Sequence, residues 1–97
     1  MAVVELDGSH LRSEADVHRE LARLLDFGPF YGHNLDALWD RLTTDVPRPV
    51  HLVWLHAEAS RTAIGPSLDR VLKLLDDVVA WDERLDLDGG RFTYELA

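Results

Sequence analysis

Two aspartates in segment 31–40, which reads YGHNLDALWD, are the residues of this chain best suited to chemistry. Asp36 and Asp40 stand four positions apart in a short helical pattern, and Trp39 lies beside them. On a helix, residues four apart are neighbours, and two like charges there destabilise it by roughly 0.2–0.5 kcal/mol. The presence of both carboxylates next to an aromatic loop therefore indicates a surface that binds a positively charged partner.

Each feature of this segment also has a simpler explanation. Asp36 falls in the first turn of the predicted helix, where the helix dipole favours an acid. Asp40 and Asp45 lie toward the negative end of the dipole and gain no such support. Trp39 belongs to a residue type that commonly fills cores. Taken together, an aromatic loop, an exposed acidic pair and a tryptophan resemble a binding hot spot of aromatic anchors and desolvated charges.

The other polar residues do not form a recognisable catalytic or metal-binding motif. The histidines are scattered, and none has a nucleophile and an orienting group nearby in the sequence. His51 and His56 are five apart on a predicted strand, so their side chains point to opposite faces. Asp36, Asp40 and His33 could in principle converge on a cation, but carboxylates with one imidazole are a generic combination. We expect no enzyme, no catalytic residue, no metal site and no cofactor.

Composition points to one small acidic domain covering residues 1–97. The net charge is -8, which repels phosphate backbones, favours solubility and speeds encounter with a basic partner, so we expect no direct binding of nucleic acid. No apolar run approaches the roughly 20 residues that cross a bilayer, and no secretory signal is visible. Because cysteine is absent as well, we expect a cytoplasmic protein with no membrane association.

Hydrophobic periodicity and turn signals predict the elements that hold the acidic segment. Asn34 is placed to cap the helix that carries Asp36 and Asp40. The run 50–55 is almost continuously apolar, which is typical of a strand covered on both faces. The predicted elements, in chain order, are a strand at 3–6, a helix from Ser13 to about Gly28, a helix from Asn34 to about Thr44, a strand at 50–55, a short helical turn at 57–62, a helix at 68–79 and a strand at 92–96.

Helical crossovers between successive strands imply a parallel sheet, and therefore an α/β fold of order β-α-α-β-α-α-β. A second acidic group lies near the C-terminus, and we interpret it as a solvated helix end and loop. Its members are Asp76, Asp77, Asp82, Glu83, Asp86 and Asp88. Asp77 falls opposite the apolar stripe of its helix and would extend the acidic face if that helix packs beside the second one.

Segment 31–40 resembles the binding segment of the barstar family, intracellular inhibitors of secreted bacterial ribonucleases. The resemblance covers nearly the whole chain, including the first strand with its glycine turn, the tract 50–54 after Pro49, and the last helix and strand. It implies a small three-stranded parallel sheet with helical crossovers. It also implies an inhibitor that blocks the active site of a small, basic, guanyl-specific type of ribonuclease.

Site residues follow from this resemblance by matching position. Asp40 resembles the carboxylate that occupies the substrate-phosphate site, Asp36 the second acid, and Phe30 the tyrosine that stacks on the catalytic histidine. Trp39 resembles the packing tryptophan. The other residues expected at the partner surface are Tyr31, Gly32, Asn34, Leu35, Thr43, Asp45 and Asp77.

The chain departs from the barstar pattern in ways that leave its target open. Phe30 lacks the tyrosine hydroxyl, Asp45 replaces an aromatic residue, and the stretch 82–90 is longer. The cognate enzyme could therefore be a different ribonuclease or a toxin of similar fold. Two alternatives stand beside inhibition: a non-inhibitory acidic module that binds another basic protein, and a hydrolase that depends on His33.

Overall fold

The computed structural model describes residues 2–86 and 88–97 and confirms the predicted α/β order. Its elements are β1 (Ala2–Asp7), α1 (Glu14–Leu25), α2 (Leu35–Thr44), β2 (Val50–Leu55), α3 (Ala57–Ile64), α4 (Ser67–Leu85) and β3 (Phe92–Leu96). A single 3-10 turn, Gly8–His10, follows β1. Among the described helices, none combines the length and apolar character needed to cross a membrane.

The three strands form a parallel sheet in the order β1-β2-β3, as the helical crossovers predicted. Val50, at the start of the central strand, lies opposite Ala2 of β1 and Phe92 of β3. This arrangement places the carboxyl ends of all three strands at one edge of the sheet.

The prediction that β2 is covered on both faces is wrong. Along β2, buried Val50, Leu52 and Trp54 alternate with only partly buried residues. The buried residues belong to the core that the sheet forms with α1, α2 and α4. On the other face, His51 lies in hydrogen-bonding contact with Thr93 at 2.8 Å. An almost continuously apolar strand is thus compatible with a second face that is only partly buried.

α4 packs against α2, which brings the C-terminal helix beside the acidic helix. Leu68, Val71, Leu75 and Val78 are buried along α4, as its periodicity predicted. The third helix is longer than the predicted turn at 57–62 and extends to Ile64.

The C-terminal acidic group is not a single solvated surface, so that interpretation is wrong at Asp82. Asp82 is 8% exposed, and its carboxylate accepts hydrogen bonds from Arg48 Nε at 2.7 Å and from the Phe92 backbone N–H at 2.7 Å. Burial raises the pKa of Asp82, but these hydrogen bonds and the charge of Arg48 outweigh it and hold the pKa below the ordinary value of 3.8. Asp76 also has a partner, since it accepts a hydrogen bond from the Tyr94 hydroxyl.

Candidate partner-binding surface

The loop between α1 and α2 presents Phe30 to solvent. Asp26 and Gly28 adopt left-handed backbone conformations, with φ of 57° and 80°, and turn the chain away from the end of α1. Phe30 then stands 90% exposed, well above the next large apolar side chain of the described residues, Val3, at 60%. A phenylalanine held outside the core in this way is available to contact a partner.

The start of α2 is fixed by its cap, as the sequence predicted. Asn34 Oδ1 accepts a hydrogen bond from the Ala37 backbone N–H at 2.8 Å, and Asn34 Nδ2 donates to the Gly32 carbonyl at 3.3 Å. A Cβ added at Gly32 would lie 3.3 Å from both Asn34 Nδ2 and the Ala37 Cβ, which favours glycine there. These contacts join the loop to the helix that carries the acidic pair.

Replacing Asn34 with alanine should lower the free energy of unfolding by about 1 kcal/mol, since the Ala37 N–H loses its capping acceptor. Urea unfolding followed by circular dichroism measures this loss. Asn34→Ser is the matched control, because serine keeps a capping oxygen and should recover most of the stability. Equal stability of the alanine and serine variants would contradict the capping role.

Asp36 and Asp40 are exposed and lack partners of their own. Within residues 2–86 and 88–97, no basic nitrogen lies within 4.0 Å of either carboxylate, and neither carboxylate accepts a hydrogen bond. The other two acids expected at this surface are paired: Asp45 with Arg41 at 2.8 Å, and Asp77 with Lys73 at 3.2 Å. Of the four acids expected at this surface, Asp36 and Asp40 are therefore the two without an ion-pair partner.

An aromatic pair supports the acidic helix from α4. Trp39 is partly buried and meets the Trp81 ring edge-on, with 5.8 Å between ring centroids. The guanidinium of Arg84 also lies over the Trp81 ring, 5.7 Å from its centroid. Thr43 donates a hydrogen bond to the Trp39 carbonyl at 2.7 Å, while Leu35 packs against the core. Sequence reasoning missed Trp81, although its position four residues after Asp77 places it on the same side of α4.

Asp77 lies on the same side of the molecule as the acidic pair. Together with Lys73, it lines an open groove between α4 and α2, and the α2 side of this groove is formed in part by Asp36 and Trp39. The condition under which Asp77 would extend the acidic face, that α4 packs beside α2, is therefore met. Arg70 and Lys73 also line the groove, so it combines the negative charge of Asp36 and Asp77 with two cations.

The described residues do not form a metal centre. Across residues 2–86 and 88–97, no three histidine, cysteine, aspartate or glutamate side chains come close enough together to hold a metal ion. His33 therefore does not join Asp36 and Asp40 around a cation.

Comparison with known proteins identifies the family of the chain. A family model described as Barstar (barnase inhibitor) matches residues 1–96. The chain belongs to the barstar family. A protein of Bacillus subtilis (strain 168) named "Putative ribonuclease inhibitor YrdF" is 39% identical over 77 residues, which are 79% of this chain and 85% of the relative.

Within this barstar-family chain, Tyr31 was also expected at the partner surface, but its side chain lies beneath that surface. Its side chain is only 5% exposed and packs against Phe27 and His33, with ring centroids 4.8 Å and 5.0 Å away. Burial raises the pKa of Tyr31 above its ordinary value, so the hydroxyl keeps its proton. Tyr31 thus supports the loop from beneath, while Phe30 faces outward.

Two departures from the barstar pattern have structural counterparts. Asp45 ends α2 and is held by Arg41, so the acid that replaces an aromatic residue is occupied within its own helix. The longer stretch 82–90 begins in α4, and the left-handed Asp86, with φ of 46°, ends that helix. Leu87 in this stretch lies outside the described residues.

Proposed function

We propose that this protein inhibits a small, basic ribonuclease by placing Asp40 in the pocket that binds the RNA phosphate. The observation that carries the proposal is the pair of exposed carboxylates, Asp36 and Asp40, which have no partner among the described residues. A ribonuclease binds a phosphodiester through cationic side chains. A carboxylate on a rigid helix can present negative charge to those cations with little loss of conformational entropy.

The surrounding residues have distinct roles in this proposal. Asp36 flanks Asp40 and meets a second cation, and Phe30 supplies an exposed ring that can stack on an aromatic or histidine side chain of the enzyme. Trp39 holds the helix against α4 through Trp81. Asp77 contributes at the edge, where its ion pair with Lys73 already compensates part of its charge.

The target proposed is a guanyl-specific ribonuclease of the type that bacteria secrete, which this protein would neutralise inside the cell. A basic enzyme and an inhibitor of net charge -8 attract each other over distances comparable to the Debye length. Association should therefore be fast at low salt and slow as ionic strength rises, whereas contacts at the centre of the interface govern dissociation.

Titration against a panel of purified small guanyl-specific microbial ribonucleases tests the proposal. We expect one or more enzymes to lose activity in proportion to added inhibitor, with an end point near one molecule per enzyme. The double variant Asp36→Asn, Asp40→Asn is expected to leave that enzyme active. The double variant Glu5→Gln, Glu83→Gln is the matched control, because it also removes two exposed negative charges but on β1 and at the end of α4.

Full activity of every enzyme at a large excess of the inhibitor would count against ribonuclease inhibition. In that event, affinity capture from the native host decides whether the acidic surface serves another protein. The chain would be a non-inhibitory binding module if the wild type captures a dominant basic partner without nuclease activity and the Asp36→Asn, Asp40→Asn double variant does not capture it.

A further inference from the structure

A buried polar chain lies beneath the loop that carries Phe30. His18, on α1, is 1% exposed, and its Nδ1 lies 2.7 Å from the Tyr31 hydroxyl. Its Nε2 lies 3.2 Å from Glu14 Oε2. The chain thus connects the first turn of α1 to the residue that follows Phe30 in the loop.

The chemistry of the partners assigns the protons in this chain. The Glu14 carboxylate only accepts hydrogen bonds, so Nε2 of His18 must carry a hydrogen and donate it. In the neutral imidazole, Nδ1 is then an acceptor, and the Tyr31 hydroxyl donates to it. Arg70 of α4 stands 3.7 Å from Glu14 Oε1, a buried oxygen with no hydrogen-bond partner among the described residues.

The loop has few other restraints. In the described part of the chain, no backbone N–H between Gly28 and His33 donates a hydrogen bond. His33 is held at φ of 54°, a conformation that costs a non-glycine residue free energy. Tyr31 is the loop's buried anchor, and its hydroxyl is satisfied by His18.

We infer that His18 is a positioning residue for inhibition, because through the Tyr31 hydroxyl it holds the loop in the conformation that presents Phe30. The expected effect on inhibition rests on the proposed function, whereas the expected effect on the loop conformation does not. A buried histidine with satisfied nitrogens could instead only stabilise the core. The two roles differ in one respect: only a positioning role changes affinity in molecules that are fully folded.

Tyr31→Phe removes one hydroxyl and tests the positioning in the free protein. We expect the loop amides, residues 27–34, to shift or double in heteronuclear NMR spectra, because the loop then samples a second conformation. Tyr94→Phe is the matched control, since it removes the chain's other tyrosine hydroxyl, which donates to Asp76 on α4. Loop amides that respond equally little to both substitutions would overturn the inference, whether or not a ribonuclease is inhibited.

The second measurement is the dissociation constant for a ribonuclease that the wild type inhibits. If the fraction of molecules with the native loop falls to about one tenth, the dissociation constant should rise roughly tenfold, since only that fraction is competent to bind. The population measured by NMR thus predicts the loss of affinity with no adjustable quantity. A variant that binds with wild-type affinity despite a displaced loop would show that His18 and Tyr31 are structural only.

Substitutions at His18 separate positioning from simple burial. His18→Phe keeps an aromatic ring but removes both hydrogen bonds, whereas His18→Gln keeps an acceptor and a donor. We expect glutamine to restore more affinity than phenylalanine, compared between samples that circular dichroism shows to be folded. In addition, Tyr31→Phe should reduce affinity less in a Phe30→Ala background than in the wild type, because the ring that the loop conformation presents to the partner is then absent. Strict additivity of Tyr31→Phe and Phe30→Ala would contradict the inference.

Discussion

Replacing Asp40 with asparagine is expected to weaken binding of the target ribonuclease by about 2–5 kcal/mol, a range to which measurements on the barnase–barstar complex contribute. Asparagine keeps the size of the side chain and removes its charge. In the proposed complex, the cations of the phosphate pocket would then be buried without the anion that satisfies them. The loss should appear mainly as faster dissociation, since the proposal places Asp40 at the centre of the interface.

The same substitution should leave the free protein intact or slightly more stable. Asp40 has no partner among the described residues, and it lies four residues from Asp36 on one helix. Removing one charge relieves repulsion worth roughly 0.2–0.5 kcal/mol. Opposite effects on binding and folding are the signature of a residue retained for function rather than for the fold.

Stopped-flow association and dissociation rates, combined with urea unfolding, measure both effects on one protein. Glu5→Gln controls for the loss of one negative charge at an exposed site on β1. Asp77→Asn should mainly slow association and reduce its salt dependence, since Asp77 lies at the edge of the proposed interface and is paired with Lys73. If the Asp40→Asn and Glu5→Gln variants bind the ribonuclease with the same affinity, Asp40 does not act as a phosphate mimic.

The elements that the sequence predicted well are those specified by local signals. The Asn34 cap and the turn residues after α1 act within a few positions, so the start of the acidic helix could be located from residue types. The alternation of β3 and the stripe of α4 are likewise periodic over short windows. The family resemblance added the expectation of a ribonuclease partner, which hydrophobic periodicity alone does not indicate.

The features that sequence reasoning missed are produced by contacts between distant parts of the chain. Tyr31 meets His18, which lies 13 positions away, so the pattern of the loop gave no sign that this aromatic residue points inward. β2 is almost continuously apolar, yet its residues are fully buried on one face only; on the other face His51, Val53 and Leu55 are partly buried, and His51 contacts Thr93 of the neighbouring strand. Neither outcome follows from the residue types alone.

Asp82 is a further residue whose role depends on distant parts of the chain, since its partners are Arg48 and Phe92. Its contacts lead to a large expected effect on stability. Asp82→Ala should lower the free energy of unfolding by about 3–5 kcal/mol. The substitution strands the Arg48 guanidinium, only 14% exposed, and the buried Phe92 N–H. Because a domain is stable by about 5–15 kcal/mol in total, this is a large fraction. Urea unfolding measures it, and Glu83→Ala, at the next and exposed position, is the control.

The pH dependence of this loss identifies its electrostatic part. The pKa of Asp82 is below 3.8 in the folded protein, so its charge contributes fully above the unfolded-state value near 3.8. That contribution is lost as the pH falls through the folded-state pKa. The stability difference between wild type and Asp82→Asn should therefore be constant from neutral pH to about pH 5 and narrow below about pH 4. A difference independent of pH would exclude the charge as its cause.

A double substitution then separates the ion pair from the backbone hydrogen bond. Replacing Arg48 with methionine and Asp82 with leucine removes both charges, and hydrophobic pairs often match or exceed the stability of buried ion pairs. However, the Phe92 N–H at the start of β3 still loses its acceptor, at a cost of about 1–3 kcal/mol. We therefore expect the double variant to be more stable than Asp82→Ala but less stable than wild type. The deficit that remains measures how strongly Asp82 ties α4 to the last strand.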